Sequence, residues 1–368
     1  MLIAAAQCFE NGALRANRVI EIASGRVAAV RDMGAEKADL SVDILMPGCT
    51  DLQVNGGGGV LLNTDPSPEG LARIAAAHLG LGTVSILPTV ITDAPEITEA
   101  AADAVIAAIE ARIPGIAGIH IEGPHLAPLR RGTHDARFIR PLDRRTLDLL
   151  ARLRGAGVPV LLTLAPELAD PALLAEAAGL GVVLSAGHSM ANAAQTQIAL
   201  SQGVTVFTHL FNAMPQMSAR DPGIIAAAIL SGAYCGLIAD GVHVAPEMIR
   251  IALAARPVPG RVFLVSDAMP TVGGPDHFRL YDMEIRVEHG RLVNAEGALA
   301  GAHIDMISSL RWLHAHCGVA LGEAIAMATD IPRRAMGLAP LAIAPGMDAR
   351  DLVALDSGLH LRPITAEG

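Results

Sequence analysis

Six polar side chains stand at the ends of apolar runs. Gln53 and Asn55 end the run Cys49 to Asn55, Glu122 ends Gly118 to Glu122, His188 ends Val182 to His188, His209 ends Val204 to His209, and Asp267 ends Arg261 to Asp267. A carboxylate and two imidazoles brought together make a three-ligand site that leaves one coordination position open for water. Nitrogen and oxygen donors of this kind suit zinc, and also iron or manganese. Each residue alone fits a plainer role, a lone His as a hydrogen-bonded core residue and Glu122 as a helix cap through Gly123-Pro124. Their common placement at run ends is harder to assign to chance.

The runs themselves predict the scaffold. Eight apolar stretches (49–55, 82–89, 118–122, 158–165, 182–188, 204–209, 234–240 and 261–267) alternate with Ala/Leu-rich segments of helical period at 68–80, 95–112, 143–154, 171–179, 191–202, 222–231 and 246–256. That alternation predicts an α/β fold, a (β/α)8 TIM-like barrel, with Met306 to His316 and Leu321 to Met327 closing it. A doubly wound open sheet is the alternative, but it uses fewer strands. In a barrel the C-terminal strand ends share one mouth, so the six polar residues converge there. The first 46 residues show short strands with turns at Asn11-Gly12 and Ser24-Gly25, and Asp351 to Leu355 reads as strand again. We therefore expect a small β-sandwich domain from residues 1–46 and 338–368, and a barrel domain over 47–337.

Composition narrows the chemistry. The chain has 368 residues, 27 Lys+Arg against 37 Asp+Glu, a net charge of −10, and one Trp, two Tyr and six Phe. An acidic chain with few aromatics and no basic run does not suit nucleic acid or an anionic membrane. Mean hydropathy is +0.43, yet the longest uncharged runs are interrupted by Pro, Gly, Ser or His, so they read as buried strands and helices rather than membrane spans. Met1 to Glu10 lacks a positive leader pattern, which makes a cytoplasmic location the expectation. Cys8, Cys49, Cys235 and Cys317 are dispersed and read as buried hydrophobes. Lys37 is the single lysine, in a charged N-terminal stretch, so Schiff-base, P-loop and carbamylated-lysine chemistry are nearly excluded. The run Gly56 to Gly59 lacks the Gly-Lys-Ser/Thr that a phosphate loop needs, and is expected to carry backbone past the barrel mouth. His314 and His316 stand two apart on a helix and are poor metal partners.

The ordered set Pro47-Gly48-Cys49-Thr50-Asp51-Leu52-Gln53-Val54-Asn55-Gly56, His120-Ile121-Glu122-Gly123-Pro124, Gly132-Thr133-His134, Leu164-Ala165-Pro166-Glu167, Ser185-Ala186-Gly187-His188-Ser189, Thr208-His209-Leu210-Phe211-Asn212-Ala213-Met214 and Ala239-Asp240-Gly241-Val242-His243 resembles the N-acetylglucosamine-6-phosphate deacetylases of the amidohydrolase superfamily along essentially the whole chain. The resemblance implies that Glu122, His188 and His209 bind one divalent metal ion per subunit, zinc first and Fe2+ or Mn2+ as alternatives. Where two-metal members of the superfamily carry His-x-His, this chain has Gln53-Val54-Asn55, vestigial positions for a second metal.

The reaction so implied is hydrolysis of an acetamide on an amino sugar phosphate. Asp267 would be the base that takes a proton from water and returns it to the departing amine. His134 would contact the substrate near the amide or a sugar hydroxyl. Backbone at Asn212 and Ala213, with His243 and Arg220, would hold the phosphate, Arg220 reaching in from the neighbouring subunit of a homodimer. The stretch Leu299-Ala300-Gly301-Ala302-His303-Ile304-Asp305-Met306, with Ala and His where small Ser-type residues are expected, would shape the sugar pocket. Three alternatives stand beside this reading: a deacetylase of N-acetylgalactosamine 6-phosphate, an amidohydrolase acting on another N-acyl substrate, and a non-catalytic sugar-phosphate binding barrel.

Overall fold

A computed structural model describes residues 1–295, 297 and 299–364. Eight parallel strands form its centre: Cys49–Val54, Thr83–Ile91, Ile119–Glu122, Val160–Leu164, Val183–Ala186, Val204–Phe207, Tyr234–Leu237 and Val262–Leu264, each hydrogen-bonded to the next in chain order. Their residues are almost uniformly buried, as continuous Val/Ile/Leu runs demand when helices cover one side and the barrel interior the other. The first and eighth strands meet without a continuous ladder. The amides of Asn55 and Gly56 both donate to the Ala268 carbonyl, at 2.9 and 3.0 Å, so the barrel is nearly closed.

Helices return the chain between strands. Four of them, Pro68–Leu79, Pro95–Glu110, Pro171–Gly179 and Pro246–Ala255, begin with Pro, whose missing N–H and fixed φ suit a first turn. Asn192 and Gln195 form a reciprocal capping box on Ala193–Ser201. These starts lie where the alternating pattern predicts them, and the (β/α)8 class is borne out. Met306–Cys317 and Leu321–Ala328 pack at the closure of the barrel.

Both chain ends build one six-stranded sheet. Leu2–Glu10, Ala13–Ala23, Arg26–Asp32 and Leu40–Pro47 are joined by Leu352–Leu355 and Leu361–Arg362, with Leu352–Leu355 antiparallel to Leu40–Pro47. Ile3, Cys8, Ile20, Val27, Leu45 and Ala354 give it a core of its own. Residues 365–368, placed in the small domain by the sequence, lie outside the described residues. All four cysteines are free and buried. Among the described residues no helix is long and apolar enough to cross a membrane.

One element escapes the sequence reading. His277–Leu280, Met283–Glu288 and Arg291–Val293 form a three-stranded antiparallel flap beyond the eighth barrel strand. Phe278, Leu280, Ile285 and Leu292 pack with Leu61, Ile91 and Met269 in a separate cluster. The alternation of Phe278, Leu280, Met283, Ile285 and Val287 with polar residues is a period-2 signal, with Gly290 in the second turn.

Candidate active site

The polar residues converge because each follows a barrel strand at the same end. Glu122 is the last residue of its strand, and His188, His209 and Asp267 sit just past theirs. The backbone turns sharply there: φ is +50° at His188, +27° at His209 and +52° at Asp267. Left-handed backbone at a β-substituted residue costs of order 1–3 kcal/mol and persists where the surroundings over-determine it. Gly187 shows how close the packing is, since a Cβ there would meet Thr208 Cβ at 2.8 Å and Thr163 Cγ2 at 2.9 Å. Only glycine lets the chain pass between those strands before His188.

Three atoms able to ligate a metal face one another at the centre. Glu122 Oε1 lies 3.2 Å from His188 Nε2 and 3.1 Å from His209 Nε2, and the two nitrogens are 3.0 Å apart. Three ligands of a tetrahedral ion bonded at ~2.0–2.1 Å stand about 3.3–3.4 Å from one another, so the triangle fits a small divalent cation with little adjustment. The Arg130 carbonyl accepts from His188 Nδ1 at 2.8 Å, which turns the Nε2 lone pair toward the cluster. All three residues are buried. Burial opposes ionisation of Glu122, but its contacts with His188 and His209 outweigh it and hold the carboxyl well below the usual range. The reciprocal effect raises His209: burial works against the charged ring and Glu122 more than offsets it. A site that attracts a proton this strongly also attracts a cation.

His134 lies in the same cluster, its ligand atom within 4.8 Å of those of Glu122 and His188. Its hydrogen bonds separate it from His209 as a ligand. The Thr92 amide donates to His134 Nδ1 at 3.3 Å, and the Thr92 hydroxyl lies 2.8 Å away. An amide can only donate, so Nδ1 is the acceptor and Nε2 carries the proton. Burial and the nearby His188 push the ring down to about 3, which keeps it neutral in that tautomer. His134 therefore presents an N–H rather than a lone pair.

Asp267 is held by amides. Asn55 Nδ2 donates to its Oδ1 at 2.7 Å and Gln53 Nε2 at 3.1 Å, while the same Gln53 nitrogen donates to Glu122 Oε1 at 3.0 Å. These two residues, read from sequence as vestigial metal positions, are hydrogen-bond donors in this fold, Gln53 bridging the two carboxylates and Asn55 donating to Asp267. Burial, and then repulsion from Glu122, push Asp267 up to about 6. A carboxyl so poised exchanges protons near neutrality.

The pocket above this centre is lined by Asn55, Glu122, His134, His188, His209 and Asp267, and its walls include Asn212, Ala213 and His243. His243 Nδ1 donates to Asp240 Oδ2 at 2.6 Å, which leaves Nε2 free of that bond. Arg220 is exposed and does not reach the wall within one chain. Leu299 and Gly301 line the pocket, whereas Ala300 is buried in the flap cluster and His303 contacts the Thr271 hydroxyl at 2.9 Å. The stretch Gly56 to Gly59 braces the loop after Asp267, with the amides of Gly58 and Gly59 donating to the carbonyls of Val272 and Pro270 at 2.9 Å each. His314 meets the Val319 carbonyl and His316 stacks on Trp312, both away from the site.

Sequence reasoning passed over three supporting groups. Thr92 sets the tautomer of His134, the Arg130 carbonyl orients His188, and Asp240 orients His243. Asp240 was visible as an i,i+3 partner of His243. Thr92 was signalled by its place after the second apolar run. The Arg130 carbonyl is backbone and carries no sequence signal.

The amidohydrolase family model matches residues 44–367. The chain is 38% identical to an N-acetylgalactosamine-6-phosphate deacetylase of Shewanella sp. (strain ANA-3), over 90% of this chain and 86% of that one. It is 32% identical to an N-acetylglucosamine-6-phosphate deacetylase of Haemophilus influenzae, over 83% and 81% of the two chains. A solved structure of a mutant N-acetyl-D-glucosamine-6-phosphate deacetylase from Mycobacterium smegmatis, in complex with N-acetyl-D-glucosamine-6-phosphate, superposes with a TM-score of 0.89 at 33% identity, covering 98% of this chain and 96% of that one.

Proposed function

Because the chain belongs to the amidohydrolase family, we propose that it hydrolyses the acetamide of N-acetylglucosamine 6-phosphate, giving acetate and glucosamine 6-phosphate. The observation that carries this reading is the pairing of the Glu122–His188–His209 triangle with Asp267 in one buried pocket. The three triangle residues would hold one divalent ion, zinc first by their donor set, with Fe2+ or Mn2+ as alternatives. When bound, such an ion lowers the pKa of water toward ~7 and polarises an amide carbonyl.

The remaining work belongs to the chain's own side chains. Asp267 takes the proton of the attacking water and returns it to the amide nitrogen, which leaves as an amine only once protonated. Asn55 and Gln53 aim that carboxylate by donating to Oδ1, which leaves the other oxygen unencumbered by them. His134 offers its Nε2–H to the substrate. The backbone at Asn212 and Ala213 with His243 receives the phosphate, and Arg220 of a second copy completes it in a homodimer. A cytoplasmic enzyme acting on a small sugar phosphate is the reading that follows.

Two expectations arise here. A base must be deprotonated to act, so kcat/KM falls tenfold per pH unit below the Asp267 pKa. That midpoint lies at or below about 6, because a cation beside Glu122 cancels the repulsion that helps raise it. A pH–rate profile measures it, and a limb that rises toward acid contradicts the assignment. Replacing Arg220 with Ala removes a charge-assisted bond worth about 1.5–3 kcal/mol, or roughly 10- to 100-fold in kcat/KM for the phosphorylated sugar. Turnover of the unphosphorylated sugar stays unchanged in the same variant.

The deciding experiment is acetate release by the metallated protein from N-acetylglucosamine 6-phosphate, its galacto epimer and unphosphorylated N-acetylglucosamine. The gluco phosphate is expected to turn over best. Preference for the galacto epimer would move the substrate to that sugar, and failure on all three would return the site to another amide or to binding alone.

A further inference from the structure

The barrel has one seam, between its first and eighth strands, and the catalytic base sits on it. Across the other seven junctions backbone ladders hold neighbours together. At the seam two backbone amides on the Ala268 carbonyl are joined in that work by a side chain: the Asp51 carboxylate of the first strand accepts the Ser266 amide, at 3.3 Å to Oδ1 and 3.2 Å to Oδ2, and the Ser266 hydroxyl at Oδ2. Asp51 Oδ1 also accepts the Gln53 amide at 3.1 Å, and the Ser266 hydroxyl lies 3.4 Å from the Gln53 carbonyl. On the far side of Asp267, the Ala268 amide donates to Ser266 Oγ at 3.1 Å, and the Ala268 carbonyl takes the amides of Asn55 and Gly56. Asp51 and Ser266 are both fully buried, and among the described residues Asp51 has no ion-pair partner.

An unpaired buried carboxylate is a costly way to join two strands, since paired backbone or an apolar contact does it with less desolvation. Its partners explain what it does. Ser266 and Ala268 flank Asp267, whose φ of +52° is the strained turn between them. Gln53, whose amide Asp51 receives, is the residue whose side chain reaches Asp267. The flanking turn and the Gln53 contact of the base thus both trace back to one carboxylate, while Asn55 Nδ2 and the Ala302 amide hold Asp267 independently of it.

We propose that Asp51 is a positioning residue: through Ser266 and the Gln53 backbone it holds Asp267 in the left-handed turn that aims its carboxylate at Asn55 and the pocket. This rests on the reading of Asp267 as the base. Displacing a reacting group by about 1 Å can cost two orders of magnitude in rate, whereas ground-state binding of the substrate is set by other walls of the pocket.

The test uses the full-length metallated protein as Asp51→Asn, Ser266→Ala and the double variant. Wild-type acetate release is measured first, so that failure of the functional reading shows there, before any variant is compared. Each single variant is expected to lose kcat at least tenfold, with KM for the phosphosugar and metal content per chain unchanged, and the double variant is no worse than the poorer single one. A crystal structure of Ser266→Ala supplies a readout independent of turnover, with Asp267 Oδ1 displaced from Asn55 Nδ2. If the folded, metal-loaded variants keep kcat within twofold, if the loss falls on KM, or if that contact keeps its length in the crystal, Asp51 only closes the barrel and the proposal is overturned. Should Asp51→Asn fail to fold, Ser266→Ala decides by the same criteria, because it removes one hydroxyl and no charge.

Discussion

Asp267→Asn is expected to lower kcat by about 10^2- to 10^4-fold while metal content and melting temperature stay near those of the wild type. The amide has the carboxylate's shape and still accepts from Asn55, so the pocket keeps its form. It has no basicity, so neither the proton of the attacking water nor the protonation of the leaving amine is served. Asp267 stands outside the Glu122–His188–His209 triangle, which is why the ion stays. Steady-state kinetics with metal analysis on the same sample measures both quantities. A variant that retains wild-type turnover would assign the proton transfers elsewhere, and one that loses its metal would make Asp267 a ligand.

Chelation is expected to have an effect as large, for a different reason. Without the ion, three electron-rich atoms that lie 3.0–3.2 Å from one another lose the positive charge that would hold them together. Turnover falls to background, and about one equivalent of divalent ion per chain restores it. Stability falls as well, since an ion that binds only the folded state contributes about 4 kcal/mol at a thousandfold excess over its Kd. Glu122→Gln removes the charged ligand and should behave as the chelated protein does, without full recovery on adding metal. Activity that survives exhaustive chelation would remove the cation from the mechanism.

Much of the architecture could be read from residue order. Continuous apolar runs of strand length, alternating with helical segments that open on Pro or a capping side chain, admit few folds other than a barrel. The period of the pattern is a local property, and local properties survive in a sequence. The flap at 277–293 was equally local in its alternation, but its short strands make no part of the eightfold repeat that organises the rest. The six-stranded sheet was legible at its N-terminal hairpin and in the return of Asp351 to Leu355 to those strands, while the choice of Leu40–Pro47 as the partner of Leu352–Leu355 depends on packing across the whole chain.

For the site, residue order alone set which chemical groups end the strands: apolar runs stop at Glu122, His188, His209 and Asp267. Their relations came from folding. Glu122 and His209 are 87 residues apart and their ligand atoms 3.1 Å apart. The proton on His134 Nε2 follows from the amide of Thr92, and the poise of Asp267 follows from burial and then from the Glu122 charge. Gln53 and Asn55 look like lost metal ligands in one dimension and are donors to two carboxylates in three. Periodicity records which face a residue takes within its own element, and it carries no record of distances between elements. Those distances, and the electrostatics that depend on them, exist only once the barrel has closed.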